Sequence, residues 1–284
     1  MYAITGITGK VGGALARKLL AEGHAVRAVL RDATKAGPWA AQGCQIAFAG
    51  MEEPARLAAG FEGVEGVFIL PPSEFDPAPG YPEARIVIDA VTAALKAAKP
   101  KKILCLSTIG ADAPHDNLLS QRTLMEEAVG ALGLPVTFLR PGWFMENALW
   151  DVASAREGIL HSFLQPADKR FPMVATQDVG STAAELLVQD WDGARVVELE
   201  GPVRVSPNDV ASAFATALGR SVRVEVVQRS TWEELFTLQG MNHPLPRIRM
   251  LDGFNEGWID FADNGASAIK GPTPLADVIA KLVR

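Results

Sequence analysis

Several things that would settle the chemistry of this chain at once are scarce or missing. Cysteine occurs only twice in 284 residues, as Cys44 and Cys105. Two thiols cannot build a disulfide framework, and Cys105 lies inside the apolar run ILCLS, where a thiol serves as a small hydrophobe. A reducing, cytoplasmic location is expected. The four histidines, His24, His115, His161 and His243, are scattered without metal-ligand spacing to one another or to the cysteines, so no zinc is expected. No stretch approaches the roughly 18 to 20 apolar residues that span a bilayer, and the opening MYAITGITGK has no basic segment followed by a long apolar one. Neither secretion nor membrane insertion is expected. A GxSxG elbow and a P-loop lysine pattern are both missing, which sets aside the common hydrolase and NTPase readings.

Positive charge is also short. The formal net charge is −6, which argues against a broad basic surface for nucleic acid or anionic lipid while leaving room for a small basic pocket around one phosphorylated ligand. Apolar residues make up 48% of the chain and charged residues 21%, so it folds as an ordinary globular protein. Its length corresponds to about two units at roughly 150 residues each.

Within the first 140 residues, short β-rich runs alternate with longer helical patterns. The strands read as Tyr2 to Thr5, Ala25 to Leu30, Gln45 to Phe48, Val64 to Leu70, Lys102 to Ser107 and Val136 to Arg140. In KVGGALARKLLAEG, Val11, Leu15 and Leu19 share one helical stripe and Gly23 ends it. Similar helices fit Ala84 to Ala98 and Leu118 to Ala131. Strand, helix, strand in this order requires parallel pairing with right-handed crossovers, so the class is α/β, a Rossmann-type doubly wound parallel sheet. After Pro141 the alternation fades. A helix from Asp178 to Gln189 and a strand from Arg195 to Leu199 return to the sheet, while Ser206 to Leu218, Val222 to Val227 and Thr231 to Gln239 form a smaller α/β C-terminal unit. The expected division is residues 1–150 with a return segment near 175–200, and an interleaved 151–284. Gly253 to Gly271, with four glycines, reads as a loop, either near a ligand or as a plain connection.

The strongest local signal is TGITGKVG, Thr5 to Gly12, between the first strand and the first helix. Gly6 suits a tight turn, Gly9 a close approach of backbone to a pyrophosphate, and Gly12 close packing of helix on strand. Thr8, Lys10 and Val11 complete the loop and the first turn, whose free N–H groups favour an anion. At the end of the second strand, where an NAD enzyme places a carboxylate for the ribose 2′-hydroxyl, the chain has Arg31, followed by Lys35. Two cations suit a 2′-phosphate, so the cofactor inferred is NADP(H). Asp32 beside them could instead hold a ribose hydroxyl, with both cations simply solvated.

TGITGKVG, VRAVLRDATK, LRPGWFMEN (Leu139 to Asn147) and GPTPLADVIAKL (Gly271 to Leu282) together resemble the NmrA-like family of atypical short-chain dehydrogenases/reductases, and most closely its NADPH-dependent quinone oxidoreductases. The resemblance spans nearly the whole chain. It implies a nucleotide-binding domain and a small C-terminal substrate domain with a cleft between them, with Arg31 and Lys35 on the 2′-phosphate. It places Leu70, Pro71, Pro72, Ser107 and Thr108 beside the nicotinamide, as does their position at the carboxyl ends of strands; Pro71 and Pro72 are equally suited to a rigid strand exit. Pro141 to Asn147 would line the same cleft, Pro141 and Phe144 toward the cofactor, and Trp143, Phe144 and Asn147 toward substrate, unless the aromatics serve the core.

Two departures from the family pattern bear on the reaction. An acidic residue usually follows the third strand to contact adenine, but here the chain reads Ala49, Gly50, Met51. Short-chain dehydrogenases acting on alcohols use a Tyr and a Lys four residues later, yet the only tyrosines, Tyr2 and Tyr81, are followed at that spacing by Gly6 and Arg85, and the equivalent positions hold Leu118 and Arg122. Hydride delivered to a ketone leaves an alkoxide that needs a positioned acid, whereas a quinone yields a phenolate with a conjugate acid near pKa ~10, which solvent can protonate. The missing pair therefore favours a conjugated, electron-poor acceptor, and suits equally a protein without turnover. Candidate catalytic groups are Ser107, His115 as a relay with Asp116 or as a solvated pair, and Gln121 with Arg122, orienting a carbonyl or simply exposed on their helix. The function expected is an NADPH-dependent oxidoreductase reducing a quinone-like acceptor; the alternative is a non-catalytic NADP(H)-sensing regulator. A sugar-nucleotide epimerase fits less well, because such relatives retain the Tyr and Lys pair. The partners expected are a small-molecule electron acceptor, with a second copy of the chain or a regulatory protein, and neither nucleic acid nor membrane.

Overall fold

A computed structural model describes all residues from Met1 to Arg284. The first half runs β1 (Tyr2–Thr5), α1 (Lys10–Ala21), β2 (Val26–Leu30), α2 (Gly37–Ala41), β3 (Gln45–Phe48), α3 (Pro54–Phe61), β4 (Gly66–Ile69), α4 (Pro82–Ala98), β5 (Lys102–Leu106), α5 (Ser120–Gly130) and β6 (Val136–Pro141). The second half runs β7 (Trp143–Phe144), α6 (Val152–Arg156), β8 (Ile159–Ser162), β9 (Met173–Val174), α7 (Thr176–Val188), β10 (Ala194–Glu200), α8 (Pro207–Leu218), β11 (Arg223–Val226), α9 (Trp232–Leu238), α10 (Leu245–Glu256), β12 (Ile269–Lys270) and α11 (Leu275–Leu282).

Eight strands form one parallel sheet in the order β12-β10-β6-β5-β4-β1-β2-β3. From β1 the chain first builds outward through β2 and β3, then returns to place β4 on the other side of β1. That reversal opens a crevice at the carboxyl ends of β1 and β4, where ligands of doubly wound sheets bind. Alternation along β1 sends Tyr2 and Ile4 to one face and Ala3 to the other. On the first face α1 and α7 bury Val11, Leu15, Leu19, Val179, Ala183 and Leu187; on the second, α3, α4 and α5 bury Leu57, Phe61, Val91, Leu95, Met125 and Val129. The two helices of the first face touch so closely that a β-carbon at Gly180 would lie 2.5 Å from the Ala14 β-carbon and 2.6 Å from the Val11 carbonyl. The return segment thus locks onto the first helix, and β10 extends the sheet beside β6.

A separate apolar cluster organises the second half around Phe171, Phe214, Trp232, Phe236 and Phe254. The Trp232 indole N–H donates to the Val227 carbonyl at 2.9 Å, so the largest core side chain leaves no polar atom unpaired. Strand β8 pairs with β11, and β7 pairs with β9, each as a separate two-stranded sheet. Helix α8 starts with a reciprocal Ser206–Asp209 capping box and stops at Gly219 in the left-handed conformation. No helix is long and apolar enough to cross a membrane.

The expected loop from Gly253 to Gly271 is corrected at both ends. Gly253 to Glu256 complete α10, and Ile269–Lys270 form β12. Gly253 sits inside the helix because a β-carbon there would lie 2.6 Å from Ile259 and 2.7 Å from Trp258, which fold back over it. Periodicity also overlooked α2 and β8, too short for a pattern to stand out, and the longer α3 and α10, whose apolar stripe is interrupted by Pro, Gly and charged residues.

Candidate functional site

The turn after β1 is built as its glycines require. Gly6 has φ +62°, a left-handed value that only glycine adopts without cost, and the Leu70 side chain lies 3.1 Å from where its β-carbon would be. A β-carbon on Gly12 would sit 2.4 Å from the Gly6 carbonyl oxygen, so α1 rises directly off the strand end. Gly9 caps α1 with extended backbone and no side chain covers the first-turn N–H groups, nor is there an acidic residue among them. Thr5 fixes the crevice width: its hydroxyl donates to the Phe68 carbonyl at 3.0 Å and accepts from the Leu70 N–H at 2.8 Å, joining β1 to β4. A bare helix N-terminus behind a glycine turn with no room for side chains is a fitting seat for a dinucleotide's pyrophosphate.

At the end of β2, Arg31 is exposed and forms no ion pair, while Lys35 lies 4.0 Å from Asp32. The Asp32 carboxylate is turned back onto Thr34, accepting from its hydroxyl at 2.6 Å and its backbone N–H at 3.0 Å. Those bonds hold its carboxyl below the ordinary range, with smaller contributions from Lys35 and Arg31. Beyond β3, where the chain reads Ala49, Gly50, Met51, the Glu53 carboxylate folds back to accept from the Gly50 N–H at 2.6 Å. An acid therefore does stand near that rim, supplied by the start of α3 and invisible to a reading of the strand end alone.

From Gly9 and Lys10 a cleft of 1350 Å³ runs across the carboxyl ends of the sheet into the second half of the chain. Its sheet side holds Val11, Leu70, Pro71, Ser107, Thr108 and Pro141; its middle holds Trp143, Phe144 and Asn147. The far wall comes from Trp150 and Asp151, from β8 and its exit, and from Arg247, Met250 and Phe254 on α10. Trp143 lines the cleft and stacks edge-on against Phe254 at 5.4 Å. Gly6, Thr8, Gly12, Arg31, Lys35 and Pro72 lie outside this deep part, the glycines beneath its floor and the cations along the open surface beyond β2.

The candidate catalytic residues divide. Ser107, nearly buried, donates its hydroxyl to Glu126, which also accepts two bonds from Arg140 at 2.9 and 2.6 Å, and Arg140 reaches Asp112 at 2.6 Å. Gln121 and Arg122 line the cleft and are not simply exposed on their helix. Gln121 exchanges hydrogen bonds with the Glu74 backbone, and the Arg122 guanidinium donates to the Pro71 and Pro72 carbonyls and the Ser73 hydroxyl. Burial pushes the Arg122 guanidinium down to about 10, still charged at neutral pH. His115 is the exception: it is exposed, stacks edge-on against Trp258 at 5.1 Å and does not line the cleft, because the loop after β5 carries it outward. Tyr81 is also engaged elsewhere, its hydroxyl donating to Asp116 and the Asn117 carbonyl.

Five side chains of this region escaped the sequence reading: Asp76, Glu126, Arg140, Asp151 and Arg247. Arg140 did leave a trace, as a charge within the apolar strand VTFLRP that demands a buried partner. Asp76 accepts from Asn242 N–H and side chain and from His243 N–H, at 2.6 to 3.0 Å, strapping the loop after β4 to the connection between α9 and α10.

The sequence pattern of the NmrA-like family matches residues 2–257, and the chain belongs to that family. Among curated relatives, an NAD(P)H azoreductase of Xenophilus azovorans is 30% identical over 86% of this chain and 83% of its own length. Quinone oxidoreductase 2 of Escherichia coli is 30% identical over 78% of this chain and 76% of its own. Among solved structures, an NADPH-dependent quinone oxidoreductase from E. coli, complexed with NADPH, superposes with TM-score 0.82 at 25% identity, covering 100% of both chains. A Citrobacter triphenylmethane reductase follows at TM-score 0.81 and 21% identity, over 99% of each chain, a likeness of fold.

Proposed function

We propose that this protein is an NADPH-dependent oxidoreductase whose acceptor is a conjugated, electron-poor molecule of the quinone class. The observation that supports it most is the single cleft that starts at the bare N-terminus of α1 and ends among aromatic and aliphatic side chains of the second half. Gly6, Gly9 and Gly12 leave space for the pyrophosphate, and Arg31 with Lys35 supplies the positive charge for a 2′-phosphate. Two relatives that reduce azo compounds or quinones support the reading. When bound, the cofactor supplies a hydride from its nicotinamide ring.

What the chain itself contributes is position. Arg122 and Gln121 hold the 71–74 backbone against the crevice, and the Arg140–Glu126 pair holds Ser107 at the floor. Because Ser107 lines the cleft and gives its proton to Glu126, its oxygen remains available as an acceptor, suited to the carboxamide N–H of a nicotinamide. Trp143, Phe144 and Phe254 give a flat acceptor an apolar slot. Holding two reactants at contact distance is itself worth several kcal/mol of barrier.

Loss of NADPH absorbance against a panel of quinones checks this. Oxidation above the protein-free rate is expected, with NADPH preferred to NADH. Tight NADPH binding with no hydride loss in a single turnover would remove the enzymatic claim in favour of a cofactor-sensing regulator.

A further inference from the structure

The acceptor end of the cleft contains an acid that the reading above leaves unused. Asp151 ends the 3-10 segment Met145–Asp151, precedes α6, and lines the cleft between Trp150 and Ser154. Other carboxylates around the cleft are occupied or solvated: Glu126 binds Ser107 and Arg140, Glu146 takes the Thr176 N–H and hydroxyl, and Glu74 is exposed. Asp151 has no hydrogen-bond donor and no cation within ion-pair distance, and burial alone pushes its carboxyl up to about 7. The charged groups on the elements packed around it are Glu146 in its own segment, Arg156 in α6, His161 on β8, Asp209 on α8, and Asp277 with Lys281 on α11, and Arg247 on α10 lines the same cleft. None adds to the shift. His161 faces Glu225 at 3.7 Å, Asp209 faces Arg170 at 3.3 Å, Arg156 donates to the Val283 carbonyl, and Arg247 lies over the Phe236 ring at 4.5 Å.

A carboxyl kept half protonated near neutrality in an apolar pocket is the usual design of a general acid. We propose that Asp151 is the proton donor to the bound acceptor, and that its contribution is largest for acceptors whose reduced form is too basic to rely on solvent, larger for azo compounds than for quinones. This rests on the oxidoreductase reading. In the azo case the N=N π bond breaks and the incoming hydride, with its electron pair, forms the first N–H bond. The second nitrogen, left with the displaced pair, takes the proton from the Asp151 carboxyl, whose O–H bond breaks. The carboxylate regains a proton from water at the cleft mouth, so one reduced cofactor and one proton yield one hydrazine. With a quinone the group protonated is a phenolate near pKa ~10, so less is gained from the acid.

The test compares the wild type, Asp151→Asn and His161→Asn with saturating NADPH, using azobenzene-4-sulfonate and 1,4-naphthoquinone as probes from pH 5.5 to 9. For the wild type, kcat with the azo probe should fall about tenfold per pH unit above pH ~7. Asp151→Asn should lose that limb and drop about 10²-fold at pH 6, with only a few-fold loss on the quinone and unchanged NADPH affinity; His161→Asn should keep the limb. Infrared difference titration of the cofactor-free protein should show a protonated carboxyl band, missing from Asp151→Asn, with a midpoint near 7. A midpoint near the ordinary ~4, an unchanged pH profile in Asp151→Asn, or a rise in KM alone would overturn the proposal while leaving the oxidoreductase reading intact. No oxidation of NADPH by the wild type with either probe would overturn both.

Discussion

At the scale of single residues, the turn after β1 gives the sharpest expectation. Gly12→Ala places a methyl 2.4 Å from the Gly6 carbonyl oxygen and 2.7 Å from its carbon, both backbone atoms that cannot swing aside. Helix α1 must lift, with an overpacking cost of about 1 to 3 kcal/mol and a displaced anion seat. A lower urea midpoint together with at least tenfold weaker NADPH binding by calorimetry is expected; weaker stability with intact affinity would separate the fold from the seat. Arg31 and Lys35 act differently, since neither supports the fold. An Arg31→Ala, Lys35→Ala double variant should keep its midpoint and lose about 3 kcal/mol, roughly 10²-fold, of NADPH affinity, with NADH binding unchanged. Equal preference for the two coenzymes in wild type and variant would remove the phosphate assignment. The positions of both groups were legible in the sequence because they are local: a glycine turn and the end of the next strand are set by neighbours in the chain. Asp151 was not legible, because what perturbs it is burial by α6, β8 and the segments around them, which no short window of sequence contains.

At the scale of elements, the helices and strands that repeat a clear period were readable, and the contacts that make them a site were not. Helix α5 begins at Ser120, two residues later than its apolar pattern suggests, because Asn117 takes the Leu119 N–H on its side chain and holds the chain in a turn first. From there α5 sends Gln121 and Arg122 to one loop and Glu126 to Arg140 on β6. The Arg140–Glu126 pair lies almost wholly buried, with side chains 10% and 11% exposed. Glu126→Ala leaves the Arg140 guanidinium with only Asp112, itself exposed, and strips Ser107 of its acceptor. A loss of about 3 kcal/mol is expected, the lower end for a broken buried pair, read from chemical denaturation. Replacing both partners by apolar residues of matching volume should recover much of that stability without recovering the Ser107 orientation, so NADPH turnover should stay low while the midpoint returns. Stability and turnover moving together through both variants would show that the pair serves the fold alone.

At the scale of the whole molecule, the two halves share one cleft but have separate cores, and the strap at Asp76 joins them. Burial pushes the Asp76 carboxyl up, but the hydrogen bonds from Asn242 and His243 outweigh it and hold it below the ordinary range. A depressed folded pKa means the strap contributes fully above the unfolded carboxyl value of ~3.9 and is lost as pH falls through the lower folded value. Between pH 5 and 8 it is therefore constant. Neither the strap's residues nor their pairing could be read from the sequence, because Asp76 and Asn242 are 166 positions apart and meet only once the second half has folded over the crevice. Asp76→Ala removes three hydrogen bonds from exposed or half-buried groups, so the midpoint should move by no more than about 1 kcal/mol. Its larger effect should fall on closure: faster amide exchange across residues 71–80 and 239–245, and a several-fold higher acceptor KM with kcat little changed. Because the strap does not titrate near neutrality, Asp76→Ala should retain whatever pH dependence the wild type shows around pH 7. A variant that shifted that limb would place the two halves' closure, rather than an acid inside the cleft, in control of the reaction.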